Sequence, residues 1–101
     1  MALSDDLAAL DPALRAPIRL SIAAMADSAD AVTFQFLLDV LAISKAALSK
    51  HIWALAEAEI LIIDKVPAGR QVRTEVRITT AGRHALRRHR QALERIARGE
   101  H

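Results

Sequence analysis

The sequence predicts a mainly α-helical domain with one small β-hairpin. Apolar residues recur at helical spacing in four segments, and two segments rich in β-branched residues flank a single turn signal. The chain has 101 residues, of which 52% are hydrophobic and 26% charged. This length and composition are typical of one folded domain, so we expect a single domain over residues 1–101.

Composition excludes several classes of protein. No apolar run approaches the roughly 20 residues of a membrane span, and the first six residues lack the features of a secretory signal peptide. The chain contains no Cys, which excludes disulfides, thiol nucleophiles and thiolate zinc sites. We therefore expect a cytoplasmic protein without membrane contact.

Charge is distributed unevenly along the chain. Residues 1–44 contain two basic and six acidic side chains, a net −4, whereas residues 45–101 contain twelve basic and six acidic ones, a net +6. Basic charge concentrated in one half is expected for a protein that binds a polyanion. The excess of Arg over Lys is also consistent with a GC-rich genome, so composition alone does not decide for nucleic acid.

The N-terminal part is predicted to contain an extension and one firm helix. In the extension, residues 1–14, Ser4 is expected to cap a short helical turn that ends before Asp11. Pro17 fits only the first turn of a helix, so the firm helix begins near residues 15–17 and ends near Ala26. Its buried positions are predicted to be Ile18, Ile22 and Met25.

Residues 33–58 have the pattern of two helices joined by a short turn. Thr33 is predicted to cap the first helix, whose apolar positions are Phe34, Leu37, Leu38 and Leu41. Ser44 ends a three-residue break and is predicted to cap the next helix, from residue 45 to about residue 58. The buried face of this helix should carry Leu48, Ile52 and Leu55. Its opposite face should then present Ala46, Ser49, Lys50 and Trp53.

Residues 60–78 predict a hairpin, and residues 80–98 predict a long last helix. Alternate residues of the second strand share one face, and a turn is expected at 67–70. The segment before Thr33 is too short for more than an edge strand. Thr79 or Thr80 should cap the last helix, whose narrow apolar stripe is typical of a helix that packs on a partner helix. This stripe consists of Leu86, Leu93 and Ile96, with Ala85, Ala92 and Ala97 beside it.

A tight helix-turn-helix followed at once by a basic hairpin is the winged-helix arrangement. Residues 10–93 resemble the small stand-alone winged-helix transcriptional regulators of bacteria and archaea, related to the MarR and ArsR groups. The matching segments are Leu10-Asp11-Pro12, Pro17-Ile18-Arg19-Leu20, Phe34-Gln35-Phe36-Leu37, Ile43-Ser44, Leu48-Ser49-Lys50-His51-Ile52, Leu55, Gly69-Arg70 and Ile78-Thr79-Thr80-Ala81-Gly82-Arg83. The chain departs from the family pattern at Glu59, where relatives usually have Gly, and at Trp53-Ala54, where relatives tend to carry Arg or Lys.

The winged-helix arrangement predicts a surface for double-stranded DNA on the helix that starts at residue 45 and on the hairpin, or wing. The candidate residues are Ser44, Lys45, Ala46, Ala47, Ser49 and Lys50 on the helix, and Lys65, Arg70 and Arg73 on the wing. The polar and basic side chains can reach phosphates or base edges, and the alanines offer a methyl group to thymine or allow close approach. The alternative is that both segments are ordinary solvated surface.

The remaining polar and aromatic residues predict no catalytic or metal site. His84 and His89 are about 140° apart around a helix and do not converge on one ion. Phosphate-binding Gly-rich loops, nucleophile elbows and HExxH motifs are missing from the sequence, so we predict neither an enzyme nor a cofactor. His51 is expected to be packed and hydrogen-bonded, and Trp53 is expected to pack within the domain rather than against a DNA sugar. Whether a small-molecule effector exists is left open.

Together, these features predict a sequence-specific regulator that binds double-stranded DNA as a homodimer. Leu86, Leu93 and Ile96 of the last helix are expected to form the dimer interface, and two copies of the helix from Lys45 would enter successive major grooves. The alternative is a winged-helix module that binds protein instead of DNA. Trp53, Ala54 and the apolar Ile62 favour this alternative.

Overall fold

The computed structural model describes residues 2–99, in which five α-helices surround a three-stranded antiparallel sheet. The helices are α1 (Leu3–Ala9), α2 (Pro17–Asp27), α3 (Phe34–Leu41), α4 (Lys45–Glu57) and α5 (Thr80–Arg98). The strands are β1 (Val32–Thr33), β2 (Leu61–Ala68) and β3 (Gln71–Ile78). The predicted mainly α fold with a hairpin wing and a long last helix is confirmed. Residues 1, 100 and 101 of the predicted domain lie outside the described residues.

The N-terminal extension is a helix that packs on α5. Helix α1 begins at Leu3, and its N-cap is Ala2, whose side chain cannot cap. The predicted Ser4 cap is therefore wrong, since Ser4 already lies inside the first turn. A tertiary ion pair holds α1 in place, because Arg95 Nε of α5 lies 2.6 Å from Oδ1 of the buried Asp6. Helix α2 begins at Pro17 as predicted, because a helix's first residue needs no N–H donor.

Local hydrogen bonds define the helix-turn-helix as the sequence predicts. The Thr33 hydroxyl accepts from the Phe36 N–H at 3.0 Å, and the Ser44 hydroxyl accepts from the Ala47 N–H at 3.1 Å. Helix α3 ends in a left-handed residue, Ala42, with φ of 52°. The predicted inner face of α4 is buried, and it consists of Leu48, Ile52 and Leu55.

The sheet has the strand order β1-β3-β2, so the short strand β1 lies at an edge, as expected. Strands β2 and β3 stay paired out to Ala68 and Gln71. The turn is therefore two residues, with Gly69 at φ of 64°, and the predicted four-residue turn at 67–70 is wrong. Proline is tolerated at position 67 because β2 is an edge strand. The outer half of the wing extends beyond the core, which leaves Val72 64% exposed.

Helix α4, strand β2 and helix α5 meet at one tightly bonded junction. The chain leaves α4 through Glu59, which has φ of 62°, and the Ile60 N–H donates to the Leu55 carbonyl at 2.9 Å. The backbone N–H and the side-chain hydroxyl of Thr79 both bond to this turn. The N–H donates to the Ile60 carbonyl at 2.9 Å, and the hydroxyl donates to the Glu59 carbonyl at 2.6 Å. The same hydroxyl caps α5 by accepting from the Gly82 N–H at 2.8 Å.

Helix α5 contributes its apolar stripe mainly to the core of its own domain. Leu86 is 1% exposed and packs in the core, and Ala85 and Ala92 are also buried. This burial corrects the prediction that Leu86 lies at a dimer interface, because the side chain has no surface to offer a partner. Leu93, by contrast, is 36% exposed, and Ile96 is partly exposed.

Gly82→Ala should destabilise the domain, because a Cβ at this position would lie 2.4 Å from the Ile60 carbonyl oxygen. A backbone atom cannot swing aside, so α5 must shift away from the junction. We expect a net loss of about 2 kcal/mol in the free energy of unfolding, measured by urea denaturation. Ala81→Gly, at an exposed position of the same helical turn, is the control for helix propensity. Unchanged stability in Gly82→Ala would contradict the close approach.

Candidate nucleic-acid interface

The outward face of α4 carries the polar residues that the sequence predicts for DNA. Lys45, Ala46, Ser49 and Lys50 are exposed, while Ala47 is partly buried. The hydroxyl oxygen of Ser44 accepts the capping hydrogen bond from the helix, so this group is already engaged at the N-terminus of α4. Burial of the opposite face fixes the rotation of α4 about its axis, and this rotation directs the polar face outward.

The wing presents three predicted cations in different electrostatic states. Arg70 occupies the exposed tip, next to Gly69. Lys65 Nζ donates a hydrogen bond to the Thr74 hydroxyl at 2.8 Å, which keeps its charge beside the sheet without neutralising it. Arg73 Nε lies 2.7 Å from Oε2 of Glu75, so its charge is partly neutralised although the side chain is half-exposed.

A second ion pair lies at the base of the wing. Arg77 Nε lies 2.6 Å from Oδ2 of Asp64 on the neighbouring strand, and the hydrogen bond and the carboxylate charge raise the pKa of Arg77. Among residues 2–99, by contrast, no carboxylate forms an ion pair with Lys45, Lys50, Lys65 or Arg70. We call these four residues the basic surface, because their charges remain available to an anionic partner.

A groove connects the helical and wing parts of this surface. It has a volume of about 350 Å³ and lies between α4 and the sheet. Ser49 of α4 and Lys65 of the wing both line it, so the structure brings together residues from the two predicted segments. Its other lining residues are Phe34, Ile52, Trp53, Ile63 and Thr74.

Trp53 lies on the outward face of α4, as predicted, but its ring does not pack as expected. It was expected to pack within the domain, but its side chain is 62% exposed. The face of α4 that packs in the core carries Leu48, Ile52 and Leu55 instead. Helical spacing contained the signal, because Trp53 is four residues beyond Ser49 and therefore on the same outward face.

His51 supports α4 from the side, and the prediction that it is packed and hydrogen-bonded is confirmed. Arg19 Nε of α2 donates to Nδ1 of His51 at 3.0 Å. Burial lowers the pKa of His51, and the positive charges of Arg19 and Lys50 lower it further. The ring is therefore neutral at neutral pH, and His51 adds no charge to the basic surface.

The other histidine singled out by the sequence, His89, has a structural place in the domain. Its Nδ1 accepts a hydrogen bond from the Asp11 backbone N–H at 2.9 Å, and burial is the main cause that lowers its pKa. Over residues 2–99, no group of three or more His, Asp or Glu side chains is arranged to hold a metal ion. The helices in this range also include none long and apolar enough to cross a membrane.

Comparison with known proteins agrees with this geometry. Residues 18–97 match the family model of the winged helix DNA-binding domain, so the chain belongs to that family. A transcriptional regulator homologue from Pyrococcus horikoshii OT3 is 29% identical with a TM-score of 0.80, over 86% of each chain. The predicted resemblance to small winged-helix regulators is confirmed.

Structures of MarR from E. coli share the fold at lower identity. One MarR mutant is 18% identical with a TM-score of 0.74, over 97% of this chain and 69% of that chain. The same mutant in complex with operator DNA is 18% identical with a TM-score of 0.72, over 97% of this chain and 67% of that chain. No match was found among curated protein sequences.

Proposed function

We propose that the chain is a sequence-specific transcriptional regulator that binds double-stranded DNA as a homodimer. The observation that carries the proposal is the basic surface, on the outward face of α4 and on the wing of a winged-helix DNA-binding domain. Its four cations form no ion pair with any carboxylate of residues 2–99. A MarR mutant with the same fold was crystallised with operator DNA, and this complex supports the choice of duplex DNA as the partner.

The two parts of the basic surface are suited to different contacts. An α-helix fits the major groove, where Lys50 and Ser49 can reach base edges and Lys45 can reach a phosphate. Arg70, at the tip of a two-residue turn, is suited to the backbone or to a narrow minor groove. In this proposal sequence specificity comes from α4, whereas the wing supplies only sequence-independent affinity.

The homodimer is proposed because one domain supplies one reading helix, whereas a pseudo-palindromic site needs two about 34 Å apart. Helices α1 and α5 pack together, and both expose apolar side chains: Leu3 and Leu7 of α1 and Leu93 of α5. Beside them, Leu10, Leu20 and Leu93 line a groove of about 420 Å³. We propose that Leu93 and Ile96 of α5, together with α1, form the interface.

A second candidate function is a winged-helix module that binds protein. Exposed apolar side chains on and beside the wing favour it, because such residues are typical of protein interfaces. These residues are Trp53, Ile62 and Val72. The two functions differ in their dependence on salt, since phosphate contacts displace counterions and apolar contacts do not.

Binding of the wild-type protein to duplex DNA should be steeply salt-dependent. With about 6–10 phosphates neutralised per dimer, affinity should fall on the order of 10³-fold or more between about 50 and 200 mM salt. Fluorescence anisotropy of a labelled mixed-sequence duplex measures this fall. No duplex binding at low salt, or a flat titration, would refute the DNA-binding proposal and favour the protein-binding one.

Lys50→Ala and Arg70→Ala should weaken DNA binding in different ways. On a duplex selected from a random-sequence pool, Lys50→Ala should cost about 1–3 kcal/mol and relax specificity, because a base contact is lost. Arg70→Ala should weaken the selected and unselected duplexes by the same factor. Arg87→Ala, at an exposed position of α5 away from the wing, is the charge-matched control. Equal, sequence-independent losses for Lys50 and Arg70 would mean that α4 does not read bases.

Leu93→Glu should convert a dimer into a monomer, because it would bury an unpaired charge at the proposed interface. The domain should stay folded, since Leu93 lies outside the core. Sedimentation velocity measures the assembly, and tight binding to the selected duplex should be lost with it. Val72→Glu, the same change at an exposed apolar residue of the wing, should leave the dimer intact. A monomeric wild type, or an unchanged dimer in Leu93→Glu, would contradict the interface.

A further inference from the structure

The groove between α4 and the wing has an apolar floor within an otherwise basic surface. Phe34, Ile52 and Ile63 form the floor, and Trp53 forms one wall. Lys65, Ser49 and Thr74 place polar atoms along the groove. The groove is therefore suited to a ligand that has an apolar face and an adjacent negative charge.

Trp53 is positioned to meet whatever contacts α4. It lies three residues after Lys50 and four after Ser49, on the same outward face of the helix. Its indole ring is 62% exposed, so a large apolar surface remains in contact with water in the free protein. A ligand that covers the indole ring removes apolar surface from water, which favours binding without neutralising any charge.

The geometry of duplex DNA specifies what crosses this groove. One sugar–phosphate strand separates a major groove from the neighbouring minor groove. If α4 lies in the major groove and the wing lies over the minor groove, that strand must pass between them. Deoxyribose presents C–H groups on its face and carries a phosphate on either side, which is the combination that the groove accommodates.

We propose that Trp53 packs against a deoxyribose of the strand that crosses this groove and that Lys65 binds the adjacent phosphate. This inference rests on the proposed function and specifies one contact of its DNA-binding surface. The contact supplies affinity that does not depend on base sequence and that salt does not weaken.

Intrinsic fluorescence tests the contact directly, because Trp53 is the sole Trp of the chain. The protein is titrated with a mixed-sequence duplex of about 30 base pairs, long enough for two half-sites. We expect the emission of Trp53 to change and its quenching by acrylamide to fall. Both signals should saturate at the concentration at which anisotropy of labelled duplex reports saturation.

Substitutions separate the apolar contact from the ionic one. Trp53→Ala should weaken binding on the order of tenfold per bound helix, on selected and mixed-sequence duplexes alike. The slope of log affinity against log salt should not change, because no counterion contact is lost. Lys65→Met should reduce that slope by about one per protomer. Trp53→Phe, which keeps an aromatic face, should restore most of the affinity, and circular dichroism should show the same fold in all three variants.

The outcomes distinguish this inference from the function on which it rests. If the wild type does not bind duplex DNA at low salt, the proposed function fails and the contact fails with it. If the wild type binds but Trp53 emission and quenching stay constant, or if Trp53→Ala binds as tightly as the wild type, the contact alone is refuted. In that case the exposed ring becomes evidence for a protein partner on this face.

Discussion

The rest of the structure depends on the close approach of α5 to the turn that follows α4. Glycine is the residue type that fits at position 82, because a Cβ there would collide with the Ile60 carbonyl oxygen. One hydroxyl, that of Thr79, both bonds this turn and caps α5. The end of α4, the start of the wing and the start of α5 are thereby fixed to one another at a single point.

This junction also explains how the chain tolerates Glu59 in a left-handed conformation. A left-handed conformation costs a non-glycine residue roughly 1–2 kcal/mol. Hydrogen bonds around the turn offset this cost and stabilise the left-handed conformation of Glu59. The Ile60 N–H donates to the Leu55 carbonyl, and Thr79 donates to the carbonyls of Glu59 and Ile60. Ala42, at the end of α3, is the other non-glycine residue with positive φ within residues 2–99. Both strained residues flank α4, so the position of α4 is determined by packing on both sides rather than by local preference.

The features that the sequence predicts correctly are those decided by neighbours in the chain. A hydroxyl at Thr33, Ser44 or Thr79 caps the helix that follows because its partner N–H is only three residues away. The buried face of α4 follows from helical spacing for the same reason. Ser4 is not a cap because packing on α5, and the ion pair between Asp6 and Arg95, determine where α1 begins. Contacts about 90 residues apart in the chain leave no local signal.

In the candidate site, too, local spacing predicts some features and tertiary packing decides the others, as α5 illustrates. Spacing predicts which residues of α5 are on its apolar stripe, but not whether the stripe faces its own domain or a partner. Leu86 is enclosed by the core, whereas Leu93, two turns later, lies outside the core and remains exposed. Because one continuous helix joins the junction at Gly82 to the exposed Leu93, the proposed interface is rigidly connected to α4. In the proposed dimer, the spacing of the two α4 helices then depends on the length of α5 and on the contact at Gly82.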